Sequence, residues 1–165
     1  KRSFRLRLRT DMKRKLFHIS LVLLGLIIAS VLGVRMIWPV LNEVETGKTA
    51  EYADVVPQYY STDPQRVFDE VRGSVTDLKR WELTKDDRTA LTVHAERSTR
   101  TMGFVDDIEI RVEPITEFAT RVNVRSKSRV GKGDFGQNAR NIEEFFVELD
   151  RRLGAVKFDP QSEEK

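Results

Sequence analysis

Residues 16–34 form an apolar run of nineteen positions without a formal charge. At a helical rise of ~1.5 Å per residue this covers roughly 28 Å, close to the ~30 Å hydrocarbon core of a bilayer. Beyond it the apolar positions become periodic. Asp63-Pro64 supplies an N-cap followed by proline at the first helical position. Val67, Phe68, Val71, Val75 and Leu78 then recur at helical spacing, which predicts an amphipathic helix to about Arg80 with Gly73 inside it. The period next changes to two. Trp81, Glu82, Leu83 and Thr84 read as a short strand, and residues 85–88 as a turn. Leu91, Val93 and Ala95 alternate with Thr92, His94 and Glu96. Ile108, Ile110 and Val112 alternate with Asp107, Glu109, Arg111 and Glu113, a run that Pro114 is expected to end. In a fourth strand Thr120, Val122 and Val124 point inward, and Arg121, Asn123 and Arg125 outward. A glycine-rich loop over 131–136 leads to a last helix whose apolar face carries Ala139, Ile142, Phe145, Phe146, Leu149 and Leu153.

This order predicts an α+β chain: a single N-terminal transmembrane helix, then a two-layer sandwich. Two helices cover one face of a four-stranded antiparallel sheet, and the other face is wet and charged. The expected division is a basic arm over 1–15, an anchor over 16–38, a tether over 39–54, a soluble domain over 55–158 and a tail over 159–165.

Charge gives the chain a direction. Residues 1–15 hold eight Lys/Arg against Asp11, and residues 1–41 carry a net +8. The remainder carries −5, so the overall +3 belongs to the N-terminal segment and is no nucleic-acid footprint. By the positive-inside rule the N-terminus is cytoplasmic and the domain lies across the membrane. In a bacterium this means a single-pass inner-membrane protein with a periplasmic C-terminal domain. The basic arm then meets membrane lipids. A cleaved signal peptide fits less well, because its apolar region is normally ~7–15 residues and precedes a small-x-small site. Trp38 suits the membrane interface, and Pro39 ends the helix. The absence of cysteine removes disulfides and thiolate metal sites.

The anchor carries its own pattern. Gly25, Ala29 and Gly33 are four apart and form a small-residue stripe on which a partner helix can approach closely. His18 lies near the same stripe. It is a weak candidate ligand for a haem or pigment metal, against the simpler expectation of a helix-end side chain reaching the headgroups. No other cofactor and no metal site is expected.

The densest chemistry lies in two segments. Gly103-Phe104-Val105-Asp106-Asp107 opens one strand, and Arg125-Ser126-Lys127-Ser128-Arg129-Val130-Gly131-Lys132-Gly133-Asp134-Phe135-Gly136-Gln137-Asn138 follows another. Strand parity puts Asp106 on the buried side, where a carboxyl group needs a partner, and Arg125 or Arg129 is expected to supply it. Asp134 stands where it can cap the last helix. These segments resemble the bacterial family known as domain of unknown function 1499, in which Gly-Phe-x-Asp-Asp precedes an Arg-Ser-x-Ser-Arg-x-Gly-x-x-Asp-x-Gly-x-Asn block. The likeness covers about residues 52–152. It implies a fold and occurrence in bacteria and plastids, photosynthetic lineages included, more than an activity.

Three uses of this corner compete: a salt-bridged corner that holds the fold, an anion or lipid-headgroup pocket, and an enzyme site. The pocket would use Arg125, Ser126, Ser128, Arg129 and the helix N-terminus. The enzyme site would draw on Asp106, Asp107 and His94. A phosphate-loop role for the glycines fails for want of a Gly-Lys-Ser/Thr ending. The leading expectation is no enzyme but an accessory or structural subunit of a larger membrane complex, respiratory or photosynthetic, partnered by other membrane subunits. A periplasmic binding module for an anionic small molecule or lipid headgroup comes second, and a hydrolase third.

Overall fold

The computed structural model describes residues 2–37, 41–99 and 103–160. The chain forms two compact units, Lys1–Pro39 and Val40–Lys165. Among the described residues the first is one helix, α1 (Arg2–Ile37). It takes in nearly all of the basic arm, and its stretch Arg14–Gly33 is long and apolar enough to cross a membrane. No side chain in that stretch is buried. A Cβ placed on Gly25 or Gly33 would meet no atom within 4 Å, so the stripe is open. His18 is exposed and touches the Phe17 ring edge-on. Trp38 and Pro39 lie outside the described residues.

The second unit is an α+β domain whose antiparallel sheet has seven strands among the described residues, not the four expected. Its elements are β1 (Glu43–Glu45), β2 (Gln58–Tyr60), α2 (Pro64–Asp77), β3 (Trp81–Asp87), β4 (Thr92–Ser98), β5 (Val105–Thr116), β6 (Ala119–Ser128), α3 (Gln137–Leu153) and β7 (Lys157–Phe158). The sheet order is β3-β4-β5-β6-β2-β7, and β1 also pairs with β6. β1 takes the register Glu43↔Lys127 and β2 the register Gln58↔Val122, so the two lie end to end along one edge of β6. The additional strands are two or three residues long, too short to display a period of two. The segment expected as a tether therefore contains β1 and a short 3-10 turn, Ala50–Tyr52.

Two strands outrun their expected ends, each by way of a register shift. β3 shifts between Leu83 and Lys85 and continues to Asp87. There the Asp87 carboxylate accepts hydrogen bonds from the backbone N–H groups of Thr89 and Ala90 and shapes the turn. β5 passes through Pro114 and shifts between Pro114 and Thr116, a bulge being where a sheet tolerates proline's missing N–H.

The helices follow their sequence signals. The Asp63 carboxylate accepts from the Arg66 N–H at 2.9 Å, and Pro64 stands in the first turn of α2. Val67, Phe68, Val71 and Val75 of α2 join Ile142, Phe145, Phe146, Leu149 and Leu153 of α3 in one core. The same core holds the sheet residues Val93, Ala95, Ile108, Ile110, Val112, Val122 and Val124. Gly73 has a packing reason, because a Cβ there would stand 2.7 Å from Arg152 Nη1. That guanidinium crosses from α3 to Glu70 at 2.9 Å and Asp77 at 2.5 Å.

Tyr60 is fully buried, and its hydroxyl donates to Asp150 at 2.8 Å. Burial, reinforced by the Asp150 charge, pushes its pKa far above the ordinary phenol value. Tyr60→Phe keeps the ring and removes this bond, and is expected to cost about 1–3 kcal/mol in urea denaturation. An unchanged unfolding midpoint would show that water serves Asp150 equally well.

Candidate functional site

Strand alternation sorts the polar corner onto two faces of the sheet. The pairing Asp106↔Ser128, Asp107↔Lys127, Ile108↔Ser126 and Glu109↔Arg125 fixes which residues sit opposite each other. Asp106, Ser126 and Ser128 are buried beneath α3, while Asp107 and Lys127 are exposed on the other side. The expected bond between Asp106 and Arg125 or Arg129 is not made, because the arginines project from the opposite face.

Neutral donors hold Asp106 instead. Ser128 Oγ donates to its Oδ1 at 2.7 Å, and Asn141 Nδ2 donates to its Oδ2 at 2.9 Å. Ser126 Oγ donates to Asn138 Oδ1 at 2.7 Å, while Asn138 Nδ2 reaches Ser128 Oγ at 3.2 Å and Asn141 Nδ2 reaches Ser126 Oγ at 3.0 Å. At its rim Gln137 Nε2 donates to Asn141 Oδ1 at 2.8 Å. Each side chain of this closed set finds partners within it, as burial requires. Asn141, fully buried, went unnoticed in the sequence. Its signal is an amide one turn after Asn138 on the helix face that also bears Ile142 and Phe145.

Asp134 performs the expected cap. Its carboxylate accepts from the N–H groups of Gly136 at 3.0 Å and Asn138 at 2.5 Å. The first turn of α3 is thus already served by the protein's own carboxylate, and the proposed anion set divides. Ser126 and Ser128 face the helix, and Arg125 and Arg129 face outward. The trio Asp106, Asp107 and His94 divides as well, with only Asp106 on the inner face. Among the described residues no group of three His, Asp or Glu side chains could hold a metal ion.

The outer face is a ladder of ion pairs. Arg125 bonds Glu43 at 2.6 Å and lies 3.7 Å from Glu109. Arg111 bridges Glu45 and Glu109, Arg121 pairs with Glu113 at 2.5 Å, and Lys127 meets Glu43 at 3.2 Å. Arg129 joins Asp107 at 2.6 Å to Glu96 at 2.5 Å. The Arg125 hydrogen bond, with help from Lys127, holds the Glu43 carboxyl below the usual glutamate range. Burial opposes ionisation of Glu45, yet Lys48 and Arg111 outweigh it and lower its pKa too. Asn123, expected to be wet, is covered: Thr46 Oγ1 lies 3.5 Å from its Oδ1.

A third feature opens beside α3, a groove of about 520 Å³ walled by Leu78 and Val147, by Arg97 and Arg140, and by the acidic residues Glu143, Glu144 and Glu148. Arg97 is the inward neighbour of Asp106 across the β4–β5 pair and is only 8% exposed.

The two faces respond differently to substitution. Asp106→Asn replaces an acceptor inside a closed buried set and is expected to cost about 1–3 kcal/mol of unfolding free energy. Arg125→Ala removes half-exposed ion pairs and should cost about 0–1 kcal/mol. Equal losses in denaturant titration would contradict the division of the corner.

No curated protein matches this chain. Among solved structures it is similar to the di-domain aromatase/cyclase StfQ of the steffimycin biosynthetic pathway, with 14% identity and a TM-score of 0.45 over 59% of this chain and 43% of that one. The di-domain aromatase/cyclase BexL of the BE-7585A pathway gives 12% and 0.45, over 67% and 46%. The chain thus spans less than half the length of either. A protein of Thermus thermophilus gives 15% and 0.36, over 68% of this chain and 97% of that one. Residues 36–149 match the family described as "Protein of unknown function (DUF1499)", taking in the anchor's end, β1 and the two motif segments. The chain belongs to that family.

Proposed function

We propose that this chain is a single-pass membrane-anchored accessory subunit of a larger membrane assembly. The observation that carries the reading is α1, whose apolar stretch Arg14–Gly33 leaves every side chain without cover from the chain itself. Such a surface is stable only against lipid or other helices. The open stripe of Gly25, Ala29 and Gly33 lets a partner helix approach, and close packing is the main attraction available inside lipid. The basic residues ahead of the apolar stretch favour an N-terminus in the cytoplasm and a domain in the periplasm of a bacterial inner membrane, and they draw anionic headgroups. His18, at the cytoplasmic end of the stripe, would meet headgroups or a partner helix.

In the domain the corner residues are committed to structural bonds, which supports a holding role over a chemical one. The outer face of the sheet supports it further. Its charged side chains are preset by mutual pairing, so a complementary protein surface could dock with little additional ordering.

Replacing Gly25, Ala29 and Gly33 together by Leu keeps the helix apolar and should leave insertion and domain melting unchanged. Co-purification of partner subunits in mild detergent should fall several-fold, whereas Ile27→Leu should have no effect. Partners recovered in undiminished yield with the triple variant would overturn the helix-packing role.

A further inference from the structure

Among the described residues, Arg97 is the arginine whose burial is least matched by bonding. It is 8% exposed, and its Nε is buried with no hydrogen-bond partner among those residues. Its Nη2 reaches a single carboxylate, Glu144 Oε2, at 3.6 Å, beyond hydrogen-bond distance. Asp106 faces it across the β4–β5 pair but is bonded to Ser128 and Asn141. A guanidinium offers five N–H donors, and burying them unmatched is costly. By contrast Arg152, also on the helix side of the sheet, meets Glu70, Asp77 and Glu148.

Arg97 also borders the groove beside α3, whose wall carries two guanidiniums, Arg97 and Arg140, and three carboxylates, Glu143, Glu144 and Glu148. Leu78 and Val147 supply apolar wall. Arg140 adds a second positive charge, its guanidinium held by Phe135 O at 3.1 Å and Gln137 Oε1 at 3.3 Å. Glu144 stands where an incoming anion would sit. It is loosely held, by Arg97 at 3.6 Å and by the Trp81 indole N–H at 3.4 Å, and its side chain is one-third exposed. Of the other two carboxylates of the wall, Glu148 is paired with Arg151 and Arg152, and Glu143 is exposed to water, which screens its charge.

We infer that the groove binds an anionic group, a carboxylate or a phosphate, on Arg97, and that Glu144 is the internal occupant which the ligand displaces. This goes beyond the accessory-subunit role and does not depend on it. It also moves the anion site from the motif segments, whose serines and arginines lie on opposite faces, to a residue on β4 outside both segments.

Trp81 reports the exchange, because its indole bonds the carboxylate that must leave. The test uses the full chain carrying Trp38→Phe, which leaves Trp81 as the sole tryptophan. In phosphatidylcholine nanodiscs the protein is titrated with inorganic phosphate and with octanoate. In a second arm, phosphatidylglycerol is built into the discs and no free anion is added. A saturable change in Trp81 emission is expected in at least one arm, and the arm that responds identifies a soluble anion or a lipid headgroup as the source. Arg97→Gln should weaken the response about tenfold or more, as expected when a buried charge partner is removed. Glu144→Gln should tighten it about fivefold, since a competing negative charge at ~4 Å is gone. The Glu144 variant keeps the test decisive if Arg97→Gln fails to fold. No saturable response in any arm, a response unchanged by Arg97→Gln, or weaker binding by Glu144→Gln would overturn the proposal.

Discussion

The antiparallel register of β5 against β6 is the constraint on which the rest of the domain depends. Ten residue pairs, from Asp106↔Ser128 to Thr116↔Ala119, lock these two strands together. Once they are locked, side-chain alternation assigns every neighbouring residue to one face or the other. A slip of one residue would turn the slipping strand over, carrying Ile108 and Ile110 of β5, or Val122 and Val124 of β6, into water and bringing Glu109 and Arg111, or Arg125, beneath the helices. The burial of four large aliphatic side chains, at about 1.5–3 kcal/mol each, therefore guards the placement of every polar group around them.

That assignment gives the two faces different physics. On the inner side Asp106 is surrounded by Ser128 and Asn141, short neutral side chains that lose little rotamer freedom and reach it at 2.7 and 2.9 Å. Leaving any one of these groups unmatched would expose the others to the cost of burial without a bond. The outer side uses long charged side chains in partial contact with water, where each pair is worth little alone and is weakened by salt. The inner set thus fixes α3 on the sheet, and the outer set shapes a surface. Asp134 ties the two halves of the motif together by capping α3 immediately before Asn138 enters the inner set.

Much of this was legible in the sequence, and the failures have physical causes. The α2 cap at Asp63, the inward parity of Thr120, Val122 and Val124, the burial of Asp106 and the capping role of Asp134 all follow from spacing and residue type. β1, β2 and β7 did not, because strands of two or three residues carry no period. Pro114 misled because a bulge absorbs its missing N–H. Arg125 and Arg129 misled for a different reason: they are close to Asp106 in the fold, but parity, not proximity, decides which side chains meet. Asn141 and Arg97 were the hardest to see. Each is a polar residue on an otherwise apolar face, and only the packed structure shows that one is satisfied while the other is not.

A double-mutant cycle tests the central claim most directly. Substituting Asp106 together with Asn141, and separately with Arg125, measures by urea unfolding whether each pair acts on the other. The division of the corner by sheet face predicts a coupling of more than about 0.5 kcal/mol between Asp106 and Asn141, and additivity within about 0.5 kcal/mol between Asp106 and Arg125. Coupling between Asp106 and Arg125 with none between Asp106 and Asn141 would contradict it.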